Sequence, residues 1–133
     1  MSQETVEVAK RATLAFNRRD DDSYDEIFTQ DFEWFPAFPT TLESEGYRGR
    51  EGVERYFEEI SDTWDEFRVV HDEYRQVGGS VLMLARFEGR GKTSGVAVDS
   101  TLAAAYDFRD GKISQIRVFF SRDEALKAVG LEE

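Results

Sequence analysis

TLAAAYDFRDGKISQIRVFF, residues Thr101 to Phe120, decides how this chain folds. Leu102, Ala104, Tyr106 and Phe108 alternate with other residues on the way down, and Ile116, Val118 and Phe120 alternate on the way back. Asp110-Gly111 lies between the two runs. A two-residue primed turn needs positive φ, which Gly adopts without steric penalty, so the stretch reads as a β-hairpin. Its apolar face is expected to form the wall of a pocket.

Upstream, a strand near Phe67 to Val77, a turn at Gly78-Gly79, a strand near Ser80 to Glu88 and a glycine-rich connection from Gly89 to Gly95 lead into the hairpin. Together they read as an antiparallel meander. Before the meander, the helical spacing of Val6, Ala9, Ala12, Thr13 and Phe16 predicts a first helix over Gln3 to Arg18. Ser23 and Glu26 have the capping-box form ahead of a short second helix, Tyr24 to Phe28. A short strand around Phe32 to Pro36 precedes a loop from Pro36 to Arg48, long enough to be a pocket rim. The third helix, Arg50 to Trp64, carries Val53, Tyr56, Phe57, Ile60 and Trp64 on one aromatic face. Ser121 and Glu124 repeat the capping form before a short terminal helix that Gly130 stops.

The 133 residues suit one domain, 1–133, with one core. An apolar content of 40%, with eleven Phe, is too rich for a disordered chain despite a net charge of −11. That acidity repels phosphate backbones and anionic lipid, so neither nucleic acid nor membrane is the expected partner. With no cysteine, disulfides, thiolate zinc sites and cysteine nucleophiles are excluded. The N-terminus lacks an apolar signal core, and the expected location is the cytoplasm. Asp20-Asp21-Asp22 suits solvation and the dipole of the following helix better than a metal. Gly91-Lys92-Thr93 is no phosphate loop, because the required earlier glycine is Arg86. No metal and no cofactor is expected.

The order of elements resembles the nuclear transport factor 2-like superfamily. Tyr47-Arg48-Gly49-Arg50-Glu51-Gly52-Val53 looks like the glycine entry to its third helix, and Arg109-Asp110-Gly111-Lys112-Ile113 like its last hairpin. The run from Ser121 to Leu126 with Gly130-Leu131, and Gly89 to Gly95, are similar to SnoaL-like members. The resemblance implies an α+β fold: a cone-shaped, curved antiparallel sheet over three N-terminal helices, with a short C-terminal helix. It also implies a homodimer through the outer sheet face, where Arg86 and Arg117 are expected.

Ketosteroid isomerase, a relative, needs a carboxylate base, a tyrosine and a protonated aspartic acid, the last two donating to an oxyanion. The corresponding positions here fall at Phe35 or Pro36, near Ala12, and at Ala104, none of which moves a proton. The cyclase members carry an aspartate at the end of the last strand; this chain has Phe120-Ser121 there, with Asp123 just beyond.

The remaining candidates are these. Trp34, Tyr56, Phe57 and Trp64, facing Leu102, Ala104, Tyr106, Val118 and Phe120, line a cavity for an apolar, ring-containing small molecule. Acid or base candidates are Glu33, His71, Tyr106 and Asp123. His71 is the one histidine, and Glu33 is a carboxylate among aromatics, although strict alternation turns it outward if Trp34 faces in. The leading expectation is small-molecule binding. The alternatives are an isomerase, cyclase or hydratase with nonstandard acid-base residues, and a dimeric interaction module without a ligand.

Overall fold

A computed structural model describes residues 2–20, 22–35, 46–119 and 121–128. Phe120, most of the loop after Phe35, and the helix stop at Gly130 lie outside the described residues, as does the side chain of His71.

The elements run α1 (Ser2–Arg18), α2 (Tyr24–Ile27), β1 (Phe28–Phe35), β2 (Tyr47–Arg48), α3 (Gly49–Thr63), β3 (Trp64–Val77), β4 (Ser80–Gly91), β5 (Ala97–Arg109), β6 (Lys112–Phe119) and α4 (Arg122–Ala128). Six strands form one curled sheet in the order β2-β1-β6-β5-β4-β3. All neighbours pair antiparallel except β1 and β6, which run parallel. The fold is thus the α+β cone that the sequence implies, with one parallel seam the meander did not foretell.

The hairpin turns at Asp110-Gly111, with φ of 55° and 81°, so both central residues occupy the left-handed region of a type I′ turn. The register between β5 and β6 slips between Asp107 and Phe108, pairing Asp107 with Gln115 and Phe108 with Ile113. This bulge explains a spacing that strict alternation cannot. Ile113 and Ile116 are three residues apart, yet both are buried in the same core.

The helices pack on the inner face. Ala9, Ala12, Val53, Tyr56 and Ile60 meet Val81, Met83, Ala85, Phe87 and the inward residues of β5 and β6 in one cluster. On the outer face a smaller cluster, Leu82, Leu84 and Ala103, is covered by Ala125 of α4.

Two local expectations are corrected and one holds. Ser23 makes no side-chain cap; its φ of −94° and ψ of 15° are not the extended geometry that lets an N-cap oxygen reach back to the first turn. At Ser121 the form does close, with Oγ accepting from Glu124 N–H at 3.3 Å. Trp64 is the first residue of β3, at φ −125° and ψ 136°, and not the end of the aromatic helix face. Its ring lies on Gly89, where an added Cβ would come within 3.0 Å of it.

The long edge strand β3 would leave a row of backbone groups unpaired. Asn17, at the end of α1, closes part of that row: its side-chain amide donates to Val69 O at 2.9 Å and accepts from Val69 N–H at 2.8 Å.

Candidate functional site

The inner sheet face and the helices enclose a cavity of about 70 Å³. One water needs about 10–15 Å³ by a comparable measure, so there is room for several. Its walls are overwhelmingly apolar. Trp34 from β1, Tyr56 and Phe57 from α3, Phe16 from α1 and Phe67 from β3 supply one side. Leu102, Ala104, Tyr106 and Val118 supply the other.

The aromatic side is built from edge-on contacts, which place the positive edge of one ring against the negative face of the next. Trp34 and Tyr56 meet at 4.7 Å between centroids and 72° between planes; Phe16 meets Trp34 at 5.6 Å and Phe57 at 6.0 Å. Trp34 is 8% exposed, and its Nε1–H has no hydrogen-bond partner among the described residues. A buried donor left unpaired is destabilising by about 1–3 kcal/mol, so such groups are rare in folded proteins.

A polar group sits on the other side. Thr13 Oγ1 donates to Ala9 O at 3.2 Å, lies 2.9 Å from the Tyr74 hydroxyl, and stands 3.5 Å from that of Tyr106. Tyr106 O–H also donates to the Met83 thioether at 3.6 Å, a weak acceptor. The Tyr106 phenol is therefore buried with only long, weak partners. Burial pushes its pKa well above the ordinary value, as does nearby Tyr74, against a smaller opposing effect from Thr13. Tyr56 is pushed up by burial too, and the Arg19 charge only partly offsets this. Both phenols stay protonated at neutral pH and act as donors.

Arg19 and Asp20 stand where α1 ends. Arg19 has φ 55°, and the two closing bonds, Arg19 N–H to Phe16 O at 3.0 Å and Asp20 N–H to Ala15 O at 2.9 Å, make a Schellman motif. The Arg19 guanidinium lies 4.7 Å from the Phe16 ring centroid and donates to Phe16 O and Phe67 O. Asp20 lines the cavity, and its Oδ1 accepts from Asp22 N–H at 2.8 Å.

Of the residues expected at the site, Trp34, Tyr56, Phe57, Leu102, Ala104, Tyr106 and Val118 are brought together around the cavity. Trp64 instead lines a broad open groove of about 730 Å³ beside Phe67, Gly89 and Val98. Phe120 lies outside the described residues. Glu33 turns away from the cavity and pairs with Arg48 at 2.7 Å across β1 and β2. Asp123 is exposed on α4. His71 pairs with Ala85 in the β3–β4 register, and its side chain is not among those described. Sequence reasoning singles out neither Thr13, Met83 nor Arg19, and it assigns Asp20 to a solvated acidic run and not to the cavity. Thr13 sits on the inward stripe of α1 and was read only as a small packing residue.

Among the described residues, no group of three or more His, Asp or Glu is placed to hold a metal ion. No described helix is long and apolar enough to cross a membrane.

A model of the SnoaL-like domain matches residues 9–116. No protein of curated function matches the chain. Solved structures superpose over nearly its whole length. A SnoaL-like polyketide cyclase, so described provisionally, from Jannaschia is 18% identical, with 99% of this chain and 95% of that one covered and a TM-score of 0.75. TerC, crystallised with polyporic acid, is 16% identical over 95% of this chain and 98% of its own, with a TM-score of 0.78. A hypothetical protein with a ketosteroid isomerase-like fold from Catenulispora acidiphila, in complex with trimethylamine, is 16% identical over 94% of this chain and 93% of its own, with a TM-score of 0.72. At these identities the likeness is one of fold.

Proposed function

Because this chain belongs to the SnoaL-like domain family, we propose that it binds a small, apolar, ring-containing molecule in the cavity beneath its sheet. The observation that carries this reading is the indole N–H of Trp34, buried in an apolar wall without a partner among the described residues. Binding sites of this kind are mostly apolar with a few placed polar groups, and an occupant with an acceptor oxygen would satisfy that donor. Tyr106, with its long bonds, is the second group available to such an occupant. TerC and the Catenulispora protein were each crystallised with a small molecule, which agrees with the reading.

Thermal-shift and calorimetric screening of single-ring carbonyl and hydroxyl compounds tests it. Trp34→Phe keeps an aromatic ring, though a smaller one, and removes the N–H, so it should weaken the best binder by at least roughly tenfold, the equivalent of one hydrogen bond. An unchanged affinity would sink the idea that Trp34 reads the ligand.

Among the acid or base candidates whose side chains are described, the enzymatic alternative rests on Tyr106. A neutral buried phenol can donate to a developing oxyanion, as an isomerase or cyclase step requires. Turnover abolished by Tyr106→Phe, with binding retained, would favour it.

A homodimer through the outer sheet face is proposed on separate grounds. Among the described residues Arg117 Nε has no partner there, although the same side chain reaches Asp107 at 3.4 Å through Nη2. Sedimentation velocity tests it: a monomer at all concentrations would remove the dimer.

A further inference from the structure

Thr13 is a hydroxyl with more polar neighbours than protons. Its Oγ1 lies 3.2 Å from Ala9 O, 2.9 Å from the Tyr74 hydroxyl, 3.5 Å from that of Tyr106 and 3.6 Å from the Met83 sulfur. It has one O–H to give and two lone pairs with which to accept. The carbonyl one turn back along α1 is the strongest acceptor of the four, and the partner that a threonine inside a helix commonly takes. With its proton on Ala9 O, Thr13 can only accept from the two phenols. Tyr74 and Tyr106 therefore both donate to it.

The consequence falls on Tyr106. Its two described partners, Thr13 and the Met83 thioether, compete for the same phenolic proton at 3.5 and 3.6 Å. Among the described residues, no group is left to donate to the Tyr106 oxygen. That oxygen belongs to a buried side chain in the cavity wall, so a donor to it has to come from the cavity. Trp34 has the reverse need, an N–H without an acceptor among the described residues. The two residues stand on β5 and β1, which β6 separates, and both line the cavity. The wall thus offers one unmet acceptor and one unmet donor at different places.

We propose that the cavity selects a neutral ring with a hydrogen-bond acceptor at one end and a donor at the other, a p-hydroxyaryl ketone or aldehyde in its simplest form. Thr13 is the residue that sets this polarity, because it holds the Tyr106 proton. The inference rests on the binding reading above and names the chemistry of the ligand. The carbonyl takes the N–H of Trp34, the phenol donates to Tyr106, and the ring lies between aromatic and aliphatic side chains. A buried site built to hydrogen-bond both ends rejects an analogue that leaves one of its groups unpaired. An oxyanion at the same place would have to draw the Tyr106 proton away from Thr13, so this polarity favours a bound neutral ligand over isomerase-like chemistry. Asp20 is the one charged residue in the described lining and a competing acceptor, with Oδ1 already engaged by Asp22 N–H.

The test is calorimetry on the full chain at about pH 6, where phenols keep their proton. Three methyl ketones differ at the far end of the ring: p-hydroxyacetophenone donates there, p-methylacetophenone is inert, and 4-acetylpyridine only accepts. The hydroxy ketone should bind about tenfold more tightly than the methyl ketone, the equivalent of one neutral hydrogen bond. The pyridine should bind most weakly, since it sets lone pair against lone pair. Thr13→Val keeps the shape and loses the acceptor, which frees the Tyr106 proton to turn toward the occupant. The pyridine should then gain at least about threefold on the methyl ketone. Thr13→Ser should keep the wild-type order. Tyr106→Phe should erase the advantage of hydroxy over methyl, and it serves if Thr13→Val is unfolded by circular dichroism. Equal binding of the hydroxy and methyl ketones to the wild type, or tightest binding of the pyridine, overturns the proposal. So does an order that folded Thr13→Val leaves as it was, the mark of a threonine that only packs. A hydroxy preference that survives Tyr106→Phe would put the acceptor on Asp20 and overturn it as well. If none of the three ketones binds the wild type, the cavity reading itself falls and this proposal falls with it.

Discussion

Trp34 and Tyr106 flank the same residue: Ile116 is in register with Trp34 across the parallel seam and with Tyr106 across the hairpin. The two strands that carry them are thus two strand spacings apart, roughly 10 Å, on one inner face. One holds a buried donor with no partner among the described residues, the other a buried hydroxyl with weak ones.

Removing the two donors should therefore affect binding more than folding. Tyr106→Phe is expected to change stability by less than about 1 kcal/mol, since the bonds lost are long. Trp34→Phe, which deletes an unpaired donor, should leave unliganded stability unchanged or slightly raised after allowance for the smaller ring. Urea melts with and without ligand separate the two effects; a loss above about 3 kcal/mol in the free protein would show Trp34 to be satisfied.

The buried phenols set an alkaline limit. Burial raises the pKa of Tyr24 to about 12, assisted by Asp25 and Asp31, and raises Tyr56, Tyr74 and Tyr106 as well. A group whose folded pKa exceeds its unfolded value holds its proton more tightly when folded. Its contribution is present below about pH 10 and is lost as pH rises through the folded value. The phenolate absorbance of these tyrosines should appear together with loss of the circular dichroism of the fold. Phenolate forming in a still-folded protein near pH 10 would contradict the burial.

Gly89 is required by the ring above it. A methyl group there would meet Trp64 at 3.0 Å and the main-chain oxygen of Glu66 at 3.2 Å. Gly89→Ala should destabilise by about 1–3 kcal/mol, in the range of overpacked sites, and shift the Trp64 emission. A chevron measured beside the wild type reads the first effect. A neutral result would mean that the indole slides at no penalty.

Asn17→Ala should lower stability by about 1–3 kcal/mol, because it strips both the N–H and the C=O of Val69 of their partner. It should also raise the tendency of the chain to associate, since the freed edge of β3 can pair with another strand. Light scattering on concentrated samples is the check, and unchanged scattering would show that other parts of α1 shield the edge.

Much of this was written in the alternation of residues 101–120, because a hairpin is local: turn chemistry and side-chain period suffice to specify it. Leu102, Ala104 and Tyr106 could be placed on the inner face by the same reasoning, whereas the facing of the short strand stayed open by one residue, and only the structure turns Trp34 in and Glu33 out. What stayed hidden depends on contacts between distant parts of the chain. The parallel pairing of β1 with β6 has no local signature, and the slip at Asp107 becomes visible only when Ile113 and Ile116 are both seen buried. Trp64 kept helical spacing from Ile60, yet the chain had already extended into β3. Arg19 was hidden for another reason: nothing in Arg18-Arg19-Asp20 announces a left-handed residue, since glycine is the usual sign of one.

The parallel seam also orders events in time. Trp34 leaves the ribosome long before Ile116, its neighbour across the seam. The wall they share therefore cannot close until both have been made, whereas the β3–β4 and β5–β6 hairpins, being local, each need only a short stretch of chain. A ligand of this cavity would arrive too late to nucleate folding. It would slow unfolding and leave the folding rate almost untouched.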